Sequence, residues 1–364
     1  MAEIINFNNG NVITETGARE VSWNLFGKTC PQGTTIHDVF ADMESDNRIN
    51  FGVSSLPIMR VPQEVAEAIA KGMPMPSGYT PSANDIITTH KATMRDDTRQ
   101  TLGVVGNAYG IVQNEKAFEF MDFIKEAANG VDPNITCYGA LGHGERIFVT
   151  ATLGEDSYIS KDDAVKNYVV FTNSHDGSGS VMAFFTPVRV VCQNTLNMAI
   201  KKCANKVSFK HTSRVDERLD WSIERNRKIA AELFSKSVRF TDAFIERMIG
   251  LKAEDVNAEY IRDFVGKLTL TPTTFDLWRK ADYNADKVEE ISTKSKNIMA
   301  NMTDAIENGV GQDMYRGTKL WLMNGVTTYF QNTKSWKDEE DKFNSLMFGN
   351  TKRKVDEAFT ILAA

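Results

Sequence analysis

"NYVVFTNSHDGSGSVMAFFTPVRVV", residues 167–191, decides the fold. Two runs rich in Val, Phe and Thr flank the polar stretch "SHDGSG" (174–179), whose Asp-Gly pair between strong strands is a short-range hairpin signal. The reading is two antiparallel strands joined by a turn. The same device recurs twice upstream. "IITTHKATMR" (86–95) and "TLGVVG" (101–106) flank "DDTRQ", and "ITCYGAL" (135–141) and "ERIFVTATL" (145–153) flank "GHG". Between these hairpins "NEKAFEFMDFIKEAANG" (114–130) sets Phe118, Met121 and Ile124 at helical spacing, with Asn114 expected as its cap and Gly130 as its stop. Six strands around one helix predict an α+β fold: an antiparallel, hairpin-built sheet with helices on one face, followed by a helical C-terminal layer or subdomain.

Working outward, residues 1–84 read as a lead-in with short helices, one at "TIHDVFADM" with Thr35 as N-cap and one in the first half of "VPQEVAEAIAKGMPMPSGYTPSAND". The Pro/Gly/Ser-rich second half of that segment is a connector, and residues 85–214 form the β-rich core. Past residue 215 the strand signal disappears. "DERLDWSIERNRKIAAELFSKS", "RFTDAFIERMIG", "AEDVNAEYIRDFVGKL", "NADKVEEISTKSKNIMANMTDAIENG", "RGTKLWLMNGVTTYFQ" and "TKRKVDEAFTILA" all carry helix spacing, so 215–364 is a helical C-terminal region; "KSWKDEEDKF" is a charge-rich loop or helix start.

A chain of 364 residues is long for one domain and short for three, and 41% apolar with 25% charged residues is ordinary for a globular protein. Cys30, Cys137, Cys192 and Cys203 stand far apart, with no C-x-x-C pair and no His spaced for zinc, so reduced thiols and a reducing bacterial cytoplasm are expected. No leader and no apolar run of membrane-spanning length is read in the chain, so neither export nor a membrane partner is expected.

The net charge is −6, so attraction to nucleic acid has to come from a local patch. One window supplies it. Residues 177–215 hold no Asp or Glu, although the chain as a whole has 48 acidic residues, enough to put about five in a window of that length. Within it stand Arg189, Lys201, Lys202, Lys206, Lys210, His211 and Arg214, interspersed with Gln193, Asn194 and other amides and hydroxyls. Cations free of competing carboxylates are what a phosphate backbone needs, because each neutralised phosphate releases a condensed counterion. The competing reading is structural. Asn194 is a good N-cap for a helix with Leu196, Ala199, Ile200 and Cys203 on one stripe, and Lys-rich edge strands also block unwanted pairing. Arg189, set among Phe185, Val188, Val190 and Val191, has to reach a ligand or an internal carboxylate, for which Asp96 or Asp97 is available. Tyr109 in "GVVGNAYG" stacks on a base or packs internally, and Pro187 inside its strand marks an edge or a bulge where subunits meet.

No catalytic residues, metal ligands or cofactor motif stand out. The glycines of "GVVGNAYG" match neither a dinucleotide fingerprint nor a P-loop, and "SHDGSGS" lacks the spacing of a nucleophile elbow, which leaves it as a turn that touches a ligand at most.

Four blocks resemble the phage/plasmid-like protein family, a family of unknown function carried by phages, prophages and plasmids. They are "VSWNLFG", "RDDTRQTLGVVGNAYGIVQNEKAFEFMD", "VVFTNSHDGSGSVMAFFTPVRVVCQNTLNMAI" and "GTKLWLMNGVTTYF", and the likeness runs from about Trp23 to about Phe330. Many relatives have a His after the Trp where this chain has Asn24, so no role rests on that position. The resemblance implies a mobile-element protein of the host cytoplasm, without established catalytic residues. The order of elements is also similar to that of single-strand annealing proteins of the RecT and Red-beta kind, which form rings or filaments and hold single strands in a positively charged groove.

The expectation is a non-enzymatic DNA-binding protein, homo-oligomeric, that engages single-stranded DNA for annealing or protection in recombination or replication. Its contacts are Arg189, Gln193, Asn194, Lys201, Lys202, Lys206, Lys210, Arg214 and Tyr109. Two alternatives stand beside it. One is an enzyme acting on a phosphorylated ligand or nucleic acid, with His175 and Asp176 as acid and base. The other is a protein-interaction module, such as an inhibitor of a host defence factor or a virion component.

Overall fold

The computed structural model describes residues 6–8, 11–13, 27–45, 48–74, 76, 78–119, 121, 133–189, 206–220, 224–309, 312–347 and 349–363. Twelve strands lie in chain order: β1 (Asn6–Asn8), β2 (Asn11–Ile13), β3 (Lys28–Thr29), β4 (Val53–Met59), β5 (Ile86–Arg95), β6 (Thr101–Gly106), β7 (Asn134–Leu141), β8 (Arg146–Thr152), β9 (Ser157–Ser160), β10 (Asp163–Ser174), β11 (Val181–Arg189) and β12 (Lys206–Phe209). The helices among the described residues are α1 (Ile36–Ala41), α2 (Gln63–Ala70), α3 (Asn114–Phe118), α4 (Val215–Arg218), α5 (Glu224–Lys252), α6 (Ala258–Thr269), α7 (Pro272–Lys280), α8 (Thr293–Asn308), α9 (Lys319–Thr328), α10 (Glu339–Met347) and α11 (Asn350–Leu362).

All three expected hairpins are present: β5 pairs antiparallel with β6, β7 with β8 and β10 with β11. The main sheet has seven strands, in the order β12-β11-β10-β8-β7-β3 with β9 added to β10. Its central strand β10 is buried without a break from Tyr168 to Ser174, so both faces are covered there, as a continuous apolar run through the middle of a sheet requires. On one face Val169, Phe171, Ala183, Phe185, Ile147 and Val149 pack with Phe118 and Val39 in a single cluster. The helical region builds a second cluster, in which Phe244, Met248, Leu268, Trp278, Met302 and Leu322 enclose Ile159 and Val165 of the sheet. The helices after residue 215 therefore share a core with β9 and β10.

Several elements differ from the sequence reading. β4 falls inside the expected lead-in and joins β5 and β6 in a separate three-stranded sheet; its period is broken at Pro57, where the pairing with β5 shifts register. The segments read as two helices from residue 216 contain the continuous 29-residue α5, because Phe240, Phe244, Met248 and Leu251 keep one buried stripe through its second half. α7 was not read at all, although Thr271 caps it with Pro272 in its first turn. Thr35 caps α1 as expected, and Asp38 completes a capping box with it. Asn114 does not cap α3: the cap is Gln113, and Asn114 is the buried first residue of the helix. Gly130 and Ile124, in the expected continuation of that helix, lie outside the described residues. β12 pairs only with Val181–Phe184, so Pro187 lies beyond its end.

Candidate functional site

The cationic window reaches the structure through β12, which lies at one end of the main sheet's strand order. Strand alternation divides its side chains: Lys206, Ser208 and Lys210 are exposed, while Val207 and Phe209 pack against the core. Register fixes that choice, because Val207 lies opposite Ala183 and Phe209 opposite Val181, two core residues. Arg214 is exposed just before α4. None of Lys206, Lys210 and Arg214 has an ion-pair partner among the described residues.

Of the other residues expected at the interface, Gln193, Asn194, Lys201 and Lys202 lie outside the described residues. Arg189 ends β11 opposite Val165, and its side chain is likewise outside the description. Asp97, weighed as its internal partner, is instead held by Arg95, with Nε–Oδ1 at 2.7 Å, and by Arg48.

Tyr109 is half-buried and stacks on His211, with ring centroids 4.6 Å apart and planes 10° from parallel. Its hydroxyl donates to the Ser174 carbonyl at 2.7 Å. One face and the polar end of the ring are thus used inside the protein. Burial, with a contribution from Asp176, pushes its phenol above the ordinary range.

Tyr109 belongs to a polar junction where the three-stranded sheet meets the turn between β10 and β11. Strand β10 turns polar at Asn173-Ser174-His175 without turning outward, and all three are buried. His175 Nε2 lies 2.7 Å from Asn114 Oδ1. Asn114 Nδ2 donates to the Ile49 carbonyl at 2.9 Å, so its Oδ1 is the acceptor and the imidazole proton sits on Nε2. Asn173 Nδ2 donates to the same oxygen at 3.1 Å and to the Val112 carbonyl at 3.0 Å. His211 Nδ1 lies 2.9 Å from the Gly110 carbonyl, which fixes its proton on Nδ1. His175 Nδ1, His211 Nε2 and Asn173 Oδ1 are buried without a hydrogen-bond partner among the described residues.

The electrostatics follow from this burial. Desolvation, helped by His211 and opposed by Asp176, pushes His175 down to about 3, and desolvation also lowers His211 against the Gly110 carbonyl and Asp176. Asp176 would be raised by burial, but Ser174 Oγ at 2.6 Å and the Ser178 N–H and Oγ at 2.8 and 2.7 Å hold it below the usual carboxylate range. Arg146 Nη2 donates to Ser178 Oγ at 3.0 Å, and Nη1 to Asn344 of α10. "SHDGSG" is a turn, locked by its own side chains. A buried, neutral His175 and a turn-bound Asp176 do not face solvent as an acid and base pair.

The sequence reading missed Asn114 and Thr93 as partners of His175, and Asn173 as a second donor to Asn114. The one signal was polarity continuing a buried strand past Phe171. Among the described residues no three His, Cys, Asp or Glu side chains are placed to hold a metal ion, Cys30 and Cys137 form no disulfide, and no helix is long and apolar enough to cross a membrane.

Comparison with curated proteins and with solved structures finds no match. A family model does match: residues 101–348, from β6 to the end of α10, fit a domain of unknown function, DUF932. That span takes in β12, the His175 junction and nearly all of the helical core, and the chain belongs to the DUF932 family.

Proposed function

We propose that this chain binds single-stranded DNA through the outer face of β12 and the segment around it, as a homo-oligomeric protein of a phage or plasmid acting in the bacterial cytoplasm, where it anneals or protects single strands. The observation that carries the reading is the alternation on β12: Lys206, Ser208 and Lys210 point outward from an end strand, Arg214 is exposed after it, and no described carboxylate pairs with the three cations. An extended strand with a cation at each end spaces its charges by roughly 13 Å, at about 3.3 Å per residue. A flexible phosphodiester chain can follow such a row without base readout, which suits sequence-independent contact. Arg189, Gln193, Asn194, Lys201 and Lys202 belong to the same acid-free window and extend the proposed surface.

The test is fluorescence anisotropy of labelled single- and double-stranded oligonucleotides at several salt concentrations, with light scattering on the same samples. The expected result is salt-dependent binding that favours single strands, together with an assembly larger than one chain. Reversing Lys206 and Lys210 to Glu should weaken binding to every sequence alike and flatten the plot of log affinity against log salt by about 0.7 per lost contact. Absence of binding at low salt, or a double variant with the wild-type slope, overturns the reading.

A further inference from the structure

Polar contacts fasten the three-stranded sheet to the turn between β10 and β11 and to Gln113. Thr93 Oγ1 of β5 donates to the His175 carbonyl at 2.6 Å. Gln113 Nε2 donates to the Val53 carbonyl at 2.9 Å, and Oε1 accepts from the Val53 N–H at 3.1 Å. Gly103 of β6 lies so close to Asp176 that an added Cβ would stand 2.5 Å from the Asp176 Cα. Of its apolar residues Val53 and Leu102 join the sheet-face cluster and Met94 and Val105 are buried outside it, while Leu56, Met59, Ile86 and Val104 stay exposed. None of its residues enters the C-terminal cluster. Elements with few buried apolar contacts open locally, well below the free energy of global unfolding.

His175 and His211 stand at the centre of this joint, each holding its one proton against a fixed acceptor and each with a bare, buried second nitrogen. A second proton on either ring would bring a charge and an N–H donor into a place without an acceptor. The surrounding groups compensate poorly. From the turn, the Asp176 carboxylate is taken by Ser174 and Ser178. From β8, Arg146 is itself a cation, joined to Ser178. Glu145, whose carbonyl accepts from the His175 N–H, turns its carboxylate to the His143 N–H. From β5, Arg95 lies 3.9 Å over the Phe51 ring, which meets His175 edge-on at 6.1 Å. Tyr109 covers one face of His211.

We propose that the joint is an acid-released latch: protonation of His175 and His211 frees the β4-β5-β6 sheet from the turn between β10 and β11, while the C-terminal helical core stays folded. The sign follows from linkage. Both rings titrate lower when docked than when free, so docking is fully favourable above the free-histidine range near 6.5 and weakens as pH falls below it. His175 contributes up to about a tenfold rise in the open fraction per pH unit below that range, and His211 adds to it in the same direction. The latch does not rest on the nucleic-acid reading, although His211 sits between Lys210 and Arg214, so release would also loosen that segment.

Hydrogen–deuterium exchange on the full chain between pH 7 and pH 5, corrected for intrinsic exchange rates, reads this directly. Protection over residues 86–106 and 173–180 should fall by about tenfold or more per pH unit below 6.5, with α8 and α9 unchanged. His211→Asn should lower the logarithmic slope. Uniform loss of protection across the chain, or unchanged protection at the joint, overturns the proposal in the wild-type protein, whatever the variant does.

Discussion

Asn114 receives two hydrogens on one oxygen, from His175 Nε2 at 2.7 Å and from Asn173 Nδ2 at 3.1 Å, while its own amide donates to Ile49. A single side chain on α3 thus satisfies three buried groups from different elements. Replacing it removes the partner of His175 Nε2 and of the Ile49 carbonyl, while Asn173 Nδ2 keeps the Val112 carbonyl. Asn114→Ala should lower the unfolding free energy by about 2–4 kcal/mol in a denaturant titration, since each orphaned buried group costs about 1–3 kcal/mol. Adding His175→Phe should cost less than the sum of the two single changes, because the partners are then removed together. Additive losses would show that the two side chains act independently.

Asp163 lies fully buried in the first position of β10, and Tyr315 donates to its Oδ2 at 2.9 Å while also meeting Ser160 Oγ at 2.9 Å. This pair ties the sheet to the helical core. Tyr315→Phe keeps the ring's packing and removes a hydrogen bond to a carboxylate, so a loss of about 1.5–3 kcal/mol is expected from chemical denaturation. A change under half of that would mean the carboxylate finds equal compensation elsewhere.

Asp42 follows α1, where Lys28 Nζ lies 2.6 Å away and Tyr138 donates its hydroxyl. The Lys28 hydrogen bond, then that of Tyr138, lowers its carboxyl to about 2. A depressed carboxylate stabilises the fold above its unfolded range near 3.9 and loses that contribution as pH falls through its folded value. Asp42→Asn should therefore flatten the dependence of Tm on pH between about 4 and 2, leaving the slope near neutrality untouched. An unchanged acid limb would remove Asp42 from the account.

Tyr109 offers a clean separation of packing from ligand contact. Tyr109→Phe preserves the stack on His211 and deletes only the bond to the Ser174 carbonyl. Stability should drop by about 1 kcal/mol, with the affinity for single-stranded oligonucleotides unchanged. A loss of affinity without a loss of stability would place the hydroxyl on the ligand instead.

Much of the fold was legible because it is written locally. Alternation around Asp-Gly and Gly-His-Gly turns, the Thr35 cap and the stripes of the C-terminal helices all lie within a dozen residues of one another. β4 escaped because Pro57 and a register shift break its period, and α5 was split because its polar middle hides a stripe that resumes at Phe240. The outward lysines of β12 follow from alternation only once its pairing with β11 is known. The junction does not. Asn114 and His175 are 61 residues apart, and no local pattern says that a helix-start amide will turn inward to meet the end of a distant strand. Polarity at Asn173 and His175 looked like a strand ending at solvent, and only tertiary packing buries it.

The far half of the small sheet has a practical use. Beyond Ser55 the β4 side chains are mostly exposed, and so are those of β5 before Lys91; α2 carries Ile69 outward, Met73 is exposed just after it, and Gly72 and Gly78 take left-handed turns with open space around them. The end of α2 and the Gly72 and Gly78 turns contribute no residue to either hydrophobic cluster, and exposed turns of this kind tolerate added sequence. A fluorophore or affinity tag inserted at Gly72 would ride on the element that the latch releases, reporting its movement from within an intact chain.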